Sequence, residues 1–177
     1  MTTLSAEQEA MVALFQRHVD AELAGDLDTT MATMTDDPHL NHVASMAGGV
    51  GRDGVLAFYR DHLVGRFFPP DVTMTNVSRT VGQDQVVEEL VLSFTHTKAV
   101  DWILPGVAPT GKRVEVAVVV IAGFKGGKIS HEHIYWDQAS VRRCAVRKAR
   151  ARCSTRSCRH AGCDGYKTAN PPTCPRP

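Results

Sequence analysis

The first 140 residues contain no cysteine, and all five cysteines of the 177-residue chain come after Arg143. This absence excludes a thiol nucleophile and a disulfide framework from most of the protein. The chain also lacks the run of about 20 apolar residues that a membrane span needs. Its N-terminus has no basic stretch followed by an apolar run, which a secretion signal would have. We therefore expect a cytoplasmic protein with no membrane partner.

Charge divides the chain near residue 140. Residues 1–140 hold 10 Lys or Arg against 18 Asp or Glu, a balance of −8, whereas residues 141–177 hold 10 against one, a balance of +9. Residues 1–140 are long enough to bury a core and are predicted to form one domain. The Cys-, Arg- and Pro-rich tail, 141–177, has no apolar period, so we expect it to be disordered and to add nothing to the core.

The composition of the tail is typical of GC-rich coding sequence translated in the wrong frame, and a frameshift near Val141 is our preferred interpretation. Two alternatives remain open. Cys153, Cys158, His160 and Cys163 are metal-ligand types at a nonstandard spacing for a zinc knuckle. The basic residues would also suit a nucleic-acid-binding arm, although we do not expect a nucleic-acid partner.

Hydrophobic periodicity predicts helices first and strands afterwards. The predicted helices run from Ser5 to Gly25, over 27–34 and over 52–64. A short strand is predicted at 39–43 after a break at Asp36-Asp37-Pro38, followed by a loop at 47–51. Four longer strands are predicted over 71–81, 85–97, 112–124 and 128–138, with a loop at 98–111 that folds over a pocket mouth. This order is typical of an α+β domain.

The last predicted strand carries the most informative side chains. Its alternation places Glu132 and Trp136 on one face, and His131, His133, Tyr135 and Asp137 on the other. A three-residue loop at 125–127 with a glycine bulge would put the first set beside Val116, Val118 and Val120. A two-residue loop would instead turn His131, His133 and Tyr135 to that side. If Glu132 lies in an apolar pocket, its raised pKa suits a general acid or base.

Several segments, in order, match a known pattern. They are Asn41-His42-Val43, Gly51 with Phe58-Tyr59, Thr95-His96-Thr97, Pro109-Thr110-Gly111-Lys112, and the hairpin from Gly127-Lys128-Ile129 to Tyr135-Trp136. Together they resemble the nuclear-transport-factor-2-like superfamily over residues 8–140, and within it the SnoaL-like polyketide cyclases, which are related to ketosteroid isomerase and limonene epoxide hydrolase. The resemblance implies a cone-shaped α+β fold, in which a curved antiparallel sheet carries three N-terminal helices on its concave face. It also implies a homodimer through the outer sheet face.

The resemblance also carries residue roles. His18 stands where the isomerase has its oxyanion-hole tyrosine, and His42 where it has its general-base aspartate. Val120 stands near the isomerase's second oxyanion acid, so that donor is missing. Ile134, Leu90 and Leu92 replace catalytic residues of the epoxide hydrolase. Neither mechanism is therefore expected in its usual form.

We predict a cofactor-free enzyme of the cyclase, isomerase or dehydratase type, which abstracts a proton next to the carbonyl of a small apolar ligand. The predicted catalytic residues are His42, Glu132, His18 and His96. The predicted substrate-binding residues are Tyr59, Trp102, Val116, Val118, Ile134 and Trp136. No metal site is expected, since no compact ligand motif occurs. Three alternatives stay open: His18 pairs with Glu22 on a helix surface, His96 ends a strand in solvent, and the domain is a non-catalytic ligand-binding or dimerisation module.

Overall fold

The helices are positioned by local signals at their ends. The computed structural model describes residues 3–146. Helix α1 (Ala6–Ala24) begins at a capping box, in which Ser5 and Gln8 satisfy each other's backbone N–H groups, and ends at Gly25 with φ 77°. Helix α2 (Leu27–Ala32) is capped by Asp26. Helix α3 (Gly51–Phe58) continues into a π-helical turn, Tyr59–Leu63. The three predicted helices are confirmed within a few residues.

Six strands form one curved sheet. They are β1 (Met34–His42), β2 (Ala47–Val50), β3 (Thr73–Val81), β4 (Gln85–Thr95), β5 (Arg113–Lys125) and β6 (Lys128–Trp136). Their order across the sheet is β2-β1-β6-β5-β4-β3. Every neighbouring pair is antiparallel except β1 and β6, which run parallel. The α+β fold with a curved sheet is confirmed, and the first strand joins it in the parallel direction.

Strand β2 lies where a loop was predicted, and that prediction is wrong. A pair of glycines lets the backbone approach its neighbours: a Cβ at Gly48 would overlap the backbone of Leu40, and one at Gly49 the backbone of Gly54. Strand β1 also begins earlier than predicted and includes Pro38. Its pairing with β6 shifts between Met34 and His39, an irregularity of the kind at which a strand tolerates proline.

The turn between β5 and β6 differs from the predicted three-residue loop. Lys125 pairs with Lys128 around Gly126-Gly127, both of which have positive φ as a type I′ turn requires. This two-residue loop alone would turn His131 inward. The register shifts at Ser130, however, because Phe124 pairs with Ile129 and Gly123 pairs with His131. The bulge at Ser130 restores the face expected from the longer loop, so Ala122 lies opposite Glu132, and Val120 opposite Ile134.

The sheet is followed by a further helix, α4 (Gln138–Val146), which contacts β5. Val141 and Ala145 of this helix are fully buried. The predicted domain boundary at residue 140 falls inside α4, and the expectation that residues from Val141 onward add nothing to the core is wrong for 141–146. Sequence reasoning missed this helix because its buried apolar residues are only two, four positions apart, with arginines between them. The rest of the predicted tail lies outside the described residues.

The core fills the space between the helices and the inner sheet face. It joins Met11 and Phe15 of α1, Phe58 and Tyr59 at the end of α3, and inner-face strand residues such as Leu92. The predicted loop at 98–111 also enters this core, since Val100, Ile103 and Leu104 are buried. Across residues 3–146, no helix is both long and apolar enough to cross a membrane.

The bulge gives a test of the register. Deleting Ser130 removes the extra residue and leaves every pair from Gly123–His131 onward in place, so we expect a folded protein that loses less than about 3 kcal/mol of unfolding free energy. Deleting Val119 from the regular part of β5 reverses the faces of the strand residues on one side of the deletion, and we expect loss of cooperative unfolding. Urea denaturation followed by circular dichroism compares the two. Equal damage from both deletions would contradict the assigned bulge.

Candidate active site

Four polar side chains meet beneath the inner sheet face. Helix α1 supplies His18 and Glu22, one turn apart on the same side of the helix. The π-helical turn supplies Tyr59, and β6 supplies Glu132. The Tyr59 hydroxyl donates to Glu132 Oε2 over 2.6 Å, and His18 Nε2 lies 3.3 Å from the same oxygen. His18 Nε2 also lies 3.1 Å from the Tyr59 hydroxyl oxygen and 3.3 Å from Glu22 Oε1.

The hydrogen-bond directions define the protonation of His18. Its Nδ1 lies 2.6 Å from the hydroxyl oxygen of Thr33, and that hydroxyl gives its own proton to the Thr30 carbonyl. Thr33 therefore accepts from His18. The Tyr59 proton is likewise directed at Glu132, so His18 Nε2 faces only acceptors. Both ring nitrogens donate, and His18 is an imidazolium paired with the Glu132 carboxylate.

The shifts in pKa agree with this assignment. Burial alone would lower the pKa of His18, but the Glu132 carboxylate, with help from Glu22, raises it well above its usual value. Burial acts to raise the pKa of Glu132, and the positive charge of His18 outweighs it and lowers that pKa. Burial raises the pKa of Glu22. Burial and the Glu132 charge together raise the pKa of Tyr59. The pKa shifts therefore favour the charged forms of His18 and Glu132 and the protonated forms of Glu22 and Tyr59.

A cavity of about 290 Å³ opens directly onto this cluster, at the lower end of the size range of small-molecule pockets. Both Glu22 and Glu132 line it, while His18 and Tyr59 lie behind them. Most of the remaining wall is apolar: Phe15, Val19, Leu40, Leu63, Phe67, Leu90, Leu92, Ile103, Val118, Val120, Ile134 and Trp136. A third polar group stands on the wall where Asn76 and Arg79 bind the buried Glu88 carboxylate.

His42 lines the same cavity from β1 and is 4 % exposed. Its ring packs against Trp102, Phe58 and Trp136 at centroid distances of 4.4, 5.0 and 5.8 Å. Burial lowers the pKa of His42 to about 4. The neutral ring donates from Nδ1 to the Ala47 carbonyl over 3.3 Å, so Nε2 carries the lone pair. Within residues 3–146, no hydrogen-bond partner meets that Nε2.

The other predicted substrate-binding residues divide into two groups. Trp102, Val118, Ile134 and Trp136 line the cavity, and Trp102 is held by a hydrogen bond from its indole N–H to the His62 carbonyl. Tyr59 and Val116 are buried and do not line it. His96 is also buried but lies away from the cavity, where its Nδ1 contacts the Thr110 hydroxyl at 3.3 Å. The structure therefore brings His18, His42 and Glu132 together and leaves His96 apart.

Sequence reasoning missed the role of Glu22 as a cavity-lining group. The open alternative of a surface pair between Glu22 and His18 is wrong, because His18 is fully buried and the Glu22 side chain is only 12 % exposed. The signal was present in the four-residue spacing, which places both on one helix face. Asn76, Arg79 and Glu88 were missed as well, since strand alternation alone does not distinguish a charged inner-face residue from a solvent-facing one.

Ligand atoms of His18, Glu22 and Glu132 lie within 4.8 Å of one another, the only such group of three among the described His, Cys, Asp and Glu residues. One nitrogen and two carboxylates are donors that zinc or a similar ion accepts. Binding there would require His18 to lose its Nε2 proton, which its neighbours Glu132 and Glu22 stabilise. In the metal-free set, the negative charge of Glu132 balances the positive charge of His18.

The fold defines a class of protein: a curved sheet wrapped on helices around a cavity, the fold of proteins like nuclear transport factor 2. A SnoaL-like polyketide cyclase structure from Jannaschia sp. CCS1, described as putative, matches with a TM-score of 0.68 and 21 % identity over 82 % of this chain and 97 % of that one. A hydroxylase from Streptomyces galilaeus, also described as putative, gives 0.57 at 20 % identity over 75 % and 81 %. A similarly described ketosteroid isomerase from Kribbella flavida gives 0.51 at 16 % identity over 72 % and 78 %.

The family model of the SnoaL-like domain matches residues 15–132. This chain belongs to the SnoaL-like domain family, and the resemblance inferred from the sequence is confirmed. No curated protein matches the chain. At these identities the solved structures establish the fold alone. The chemistry depends on which residues line the cavity.

The buried network predicts a stability effect. Tyr59→Phe removes the hydroxyl that bonds Glu132 and leaves a buried carboxylate short of one donor, so we expect a loss of about 1.5–3 kcal/mol of unfolding free energy. Tyr135→Phe is the matched control, because Tyr135 lies on the outer face with 41 % exposure and should change stability by less than about 0.5 kcal/mol. Urea denaturation measures both. Equal stability of the two variants would contradict the hydrogen-bond assignment.

Proposed function

We propose that the protein is a small-molecule enzyme of the cyclase, isomerase or dehydratase type, acting by acid–base chemistry on a small apolar carbonyl compound. One observation carries the proposal. A single apolar cavity is lined by His42, whose pKa is lowered to about 4, and by Glu22, whose pKa is raised. Environments that push the pKa values of two groups apart are typical of a catalytic base and a catalytic acid.

His42 is the proposed base. Its Nδ1–H is committed to the Ala47 carbonyl, which leaves the Nε2 lone pair for a substrate C–H. The base takes the proton from the carbon next to the carbonyl, the C–H electron pair forms the enolate C=C bond, and the carbonyl π electrons move to oxygen. The aromatic wall of Phe58, Trp102 and Trp136 keeps the imidazole neutral and excludes water from the reacting carbon.

Glu22 is the proposed donor to the enolate oxygen. A carboxyl group held neutral in an apolar site donates a hydrogen bond where negative charge develops. Glu132 also lines the cavity, but the Tyr59 hydroxyl and His18 both bind its Oε2, and the positive charge of His18 outweighs burial and lowers its pKa. We assign Glu132 and His18 to holding the acid end in place. His96 has no part in the proposal, since it lies away from the cavity.

Proton exchange tests this assignment without a known substrate. Small cyclic ketones incubated with the protein in D₂O should exchange their α-protons, followed by NMR. His42→Ala should slow exchange by about 10²–10⁴-fold, the usual contribution of a positioned base. His62→Ala is the matched control, since His62 is exposed and should retain the wild-type rate. Ketones that bind, as judged by thermal shift, without any enzyme-dependent exchange would overturn the proposal in favour of a ligand-binding module.

The donor is tested by two substitutions of one residue. Glu22→Gln keeps an N–H donor in the cavity and should reduce the exchange rate by less than about tenfold, whereas Glu22→Leu removes the donor and should cost about 10²–10³-fold. Circular dichroism checks that both variants fold. Equal rates for Gln and Leu would contradict a donor role for Glu22.

The pH dependence follows from the signs of the shifts. His42 is active when unprotonated, so the exchange rate should fall only as the pH drops towards about 4. Glu22 is active when protonated, so the rate should also fall as the pH rises through its raised pKa. The pH profile of the exchange rate is therefore a bell. Glu22→Gln should lose the alkaline limb and keep the acid limb. An unchanged alkaline limb in that variant would show that another group causes it.

The predicted dimer through the outer sheet face stays a prediction, as do the cytoplasmic location and the absence of a cofactor. Sedimentation of the full chain measures whether the dimer forms.

A further inference from the structure

Three histidines cluster on the outer face of the sheet, on the opposite side from the cavity. His39 of β1 pairs directly with His131 of β6, and His133 is the next outward residue along β6. The ring centroids of His39 and His131 are 5.1 Å apart, those of His39 and His133 4.9 Å, and those of His131 and His133 4.9 Å. All three side chains are half-buried. The function proposed above uses none of them.

We propose that His39, His131 and His133 form a binding site for a divalent transition-metal ion with a preference for imidazole, such as Zn²⁺. Zinc–nitrogen bonds of about 2.0–2.1 Å arranged tetrahedrally separate three imidazole centroids by roughly 5 Å. The three ring centroids already have that spacing, but the ring nitrogens do not all lie within 4.8 Å of one another, so binding requires one ring to rotate. His39 Nε2 and His133 Nε2 lie 2.7 Å apart, so two ligand atoms already converge on one point.

The ion takes the place of the single hydrogen bond that joins His39 and His133. In the metal-free site one of the two Nε2 atoms donates to the other. A metal ion binds both Nε2 lone pairs after a small separation of the rings, and the proton of the donor ring moves through solvent to that ring's own Nδ1. His131 lies parallel to His39, with an interplanar angle of 10°, and joins as third ligand by rotating its ring. Water then fills the fourth position of a tetrahedral site.

Two features of the strands hold the rings in this arrangement. The bulge at Ser130 turns His131 and His133 outward beside His39, since without it the two-residue turn would direct them into the core. Opposite His131, β5 carries Gly123, and a Cβ at that position would overlap the His131 ring. Glycine at 123 therefore provides the space in which the ring lies on the sheet.

The surroundings of His131 and His133 favour the neutral form of both rings. Burial and the neighbouring imidazoles lower the pKa of His131, and burial and His39 lower the pKa of His133. Neutral imidazole is the form that coordinates transition metals. Asp84 is the outer carboxylate whose charge acts on His131, together with Glu132 from the inner face.

Calorimetric titration of the full chain with Zn²⁺ tests the site. The thiols are first blocked with iodoacetamide, so that cysteines do not compete. His133→Asn should bind at least about tenfold more weakly at this site, a loss of about 1.4 kcal/mol. His62→Asn is the matched control, because His62 is exposed and outside the cluster, and it should bind as the wild type does. Equal affinity of His133→Asn and wild type would overturn the proposal.

Two further measurements do not depend on removing a ligand. Histidine side-chain ¹⁵N NMR of the wild type should show Zn²⁺-dependent shifts at His39, His131 and His133, and none at His18. Shifts confined to His18 would assign the ion to the buried Glu22 and Glu132 set instead and overturn this site. Gly123→Ala keeps all three histidines but displaces His131, so it should weaken Zn²⁺ binding and remove only the His131 shift. Binding and shifts unchanged by Gly123→Ala would contradict His131 as a ligand.

Discussion

The buried charge of Glu132 is the constraint on which the site depends. A carboxylate that is 4 % exposed is costly unless charged and hydrogen-bonding partners surround it. Its partners come from separate parts of the chain: His18 from α1 and Tyr59 from the π-helical turn. Thr33, after α2, then orients His18 from behind. Satisfying one carboxylate therefore holds three helical segments against one strand, and it sets the geometry of the cavity above them.

The same charge determines the protonation of its neighbours. With His18 positive and Glu132 negative, a second negative charge on Glu22 in the same buried space would be opposed by Glu132 as well as by burial. Burial and the Glu132 charge therefore raise the pKa of Glu22 and favour the protonated form of this carboxyl group in the cavity wall. Across the cavity, His42 has aromatic rings around it and no carboxylate bonded to it, so burial dominates and keeps it neutral. One ion pair on one side and an aromatic cage on the other thus shift the pKa values of Glu22 and His42 in opposite directions.

Much of this arrangement was predictable from the sequence, because strand alternation fixes faces more reliably than turns fix registers. Glu132, Ile134 and Trp136 were assigned to the inner face, and the assignment survives although the turn has two residues, since the bulge at Ser130 compensates. The π-helical turn at Tyr59 and the strand at Gly48-Gly49 were not predictable, because both depend on close backbone contacts made only in the folded chain. Glu22 was misjudged because helix spacing shows which residues are neighbours and not how deeply they are buried.

The bulge at Ser130 also links the two faces of β6. Consecutive residues His131 and Glu132 point to opposite sides of the sheet, so the register that buries the carboxylate necessarily presents the imidazoles outside. The burial of Glu132 against His18 gives that register its stability, since a slip by one residue would place a histidine beside an imidazolium and leave the carboxylate on the surface. The outer cluster of His39, His131 and His133 is therefore held in place by the inner ion pair. Its geometry follows from an interaction on the other side of the sheet, with Gly123 leaving room for it.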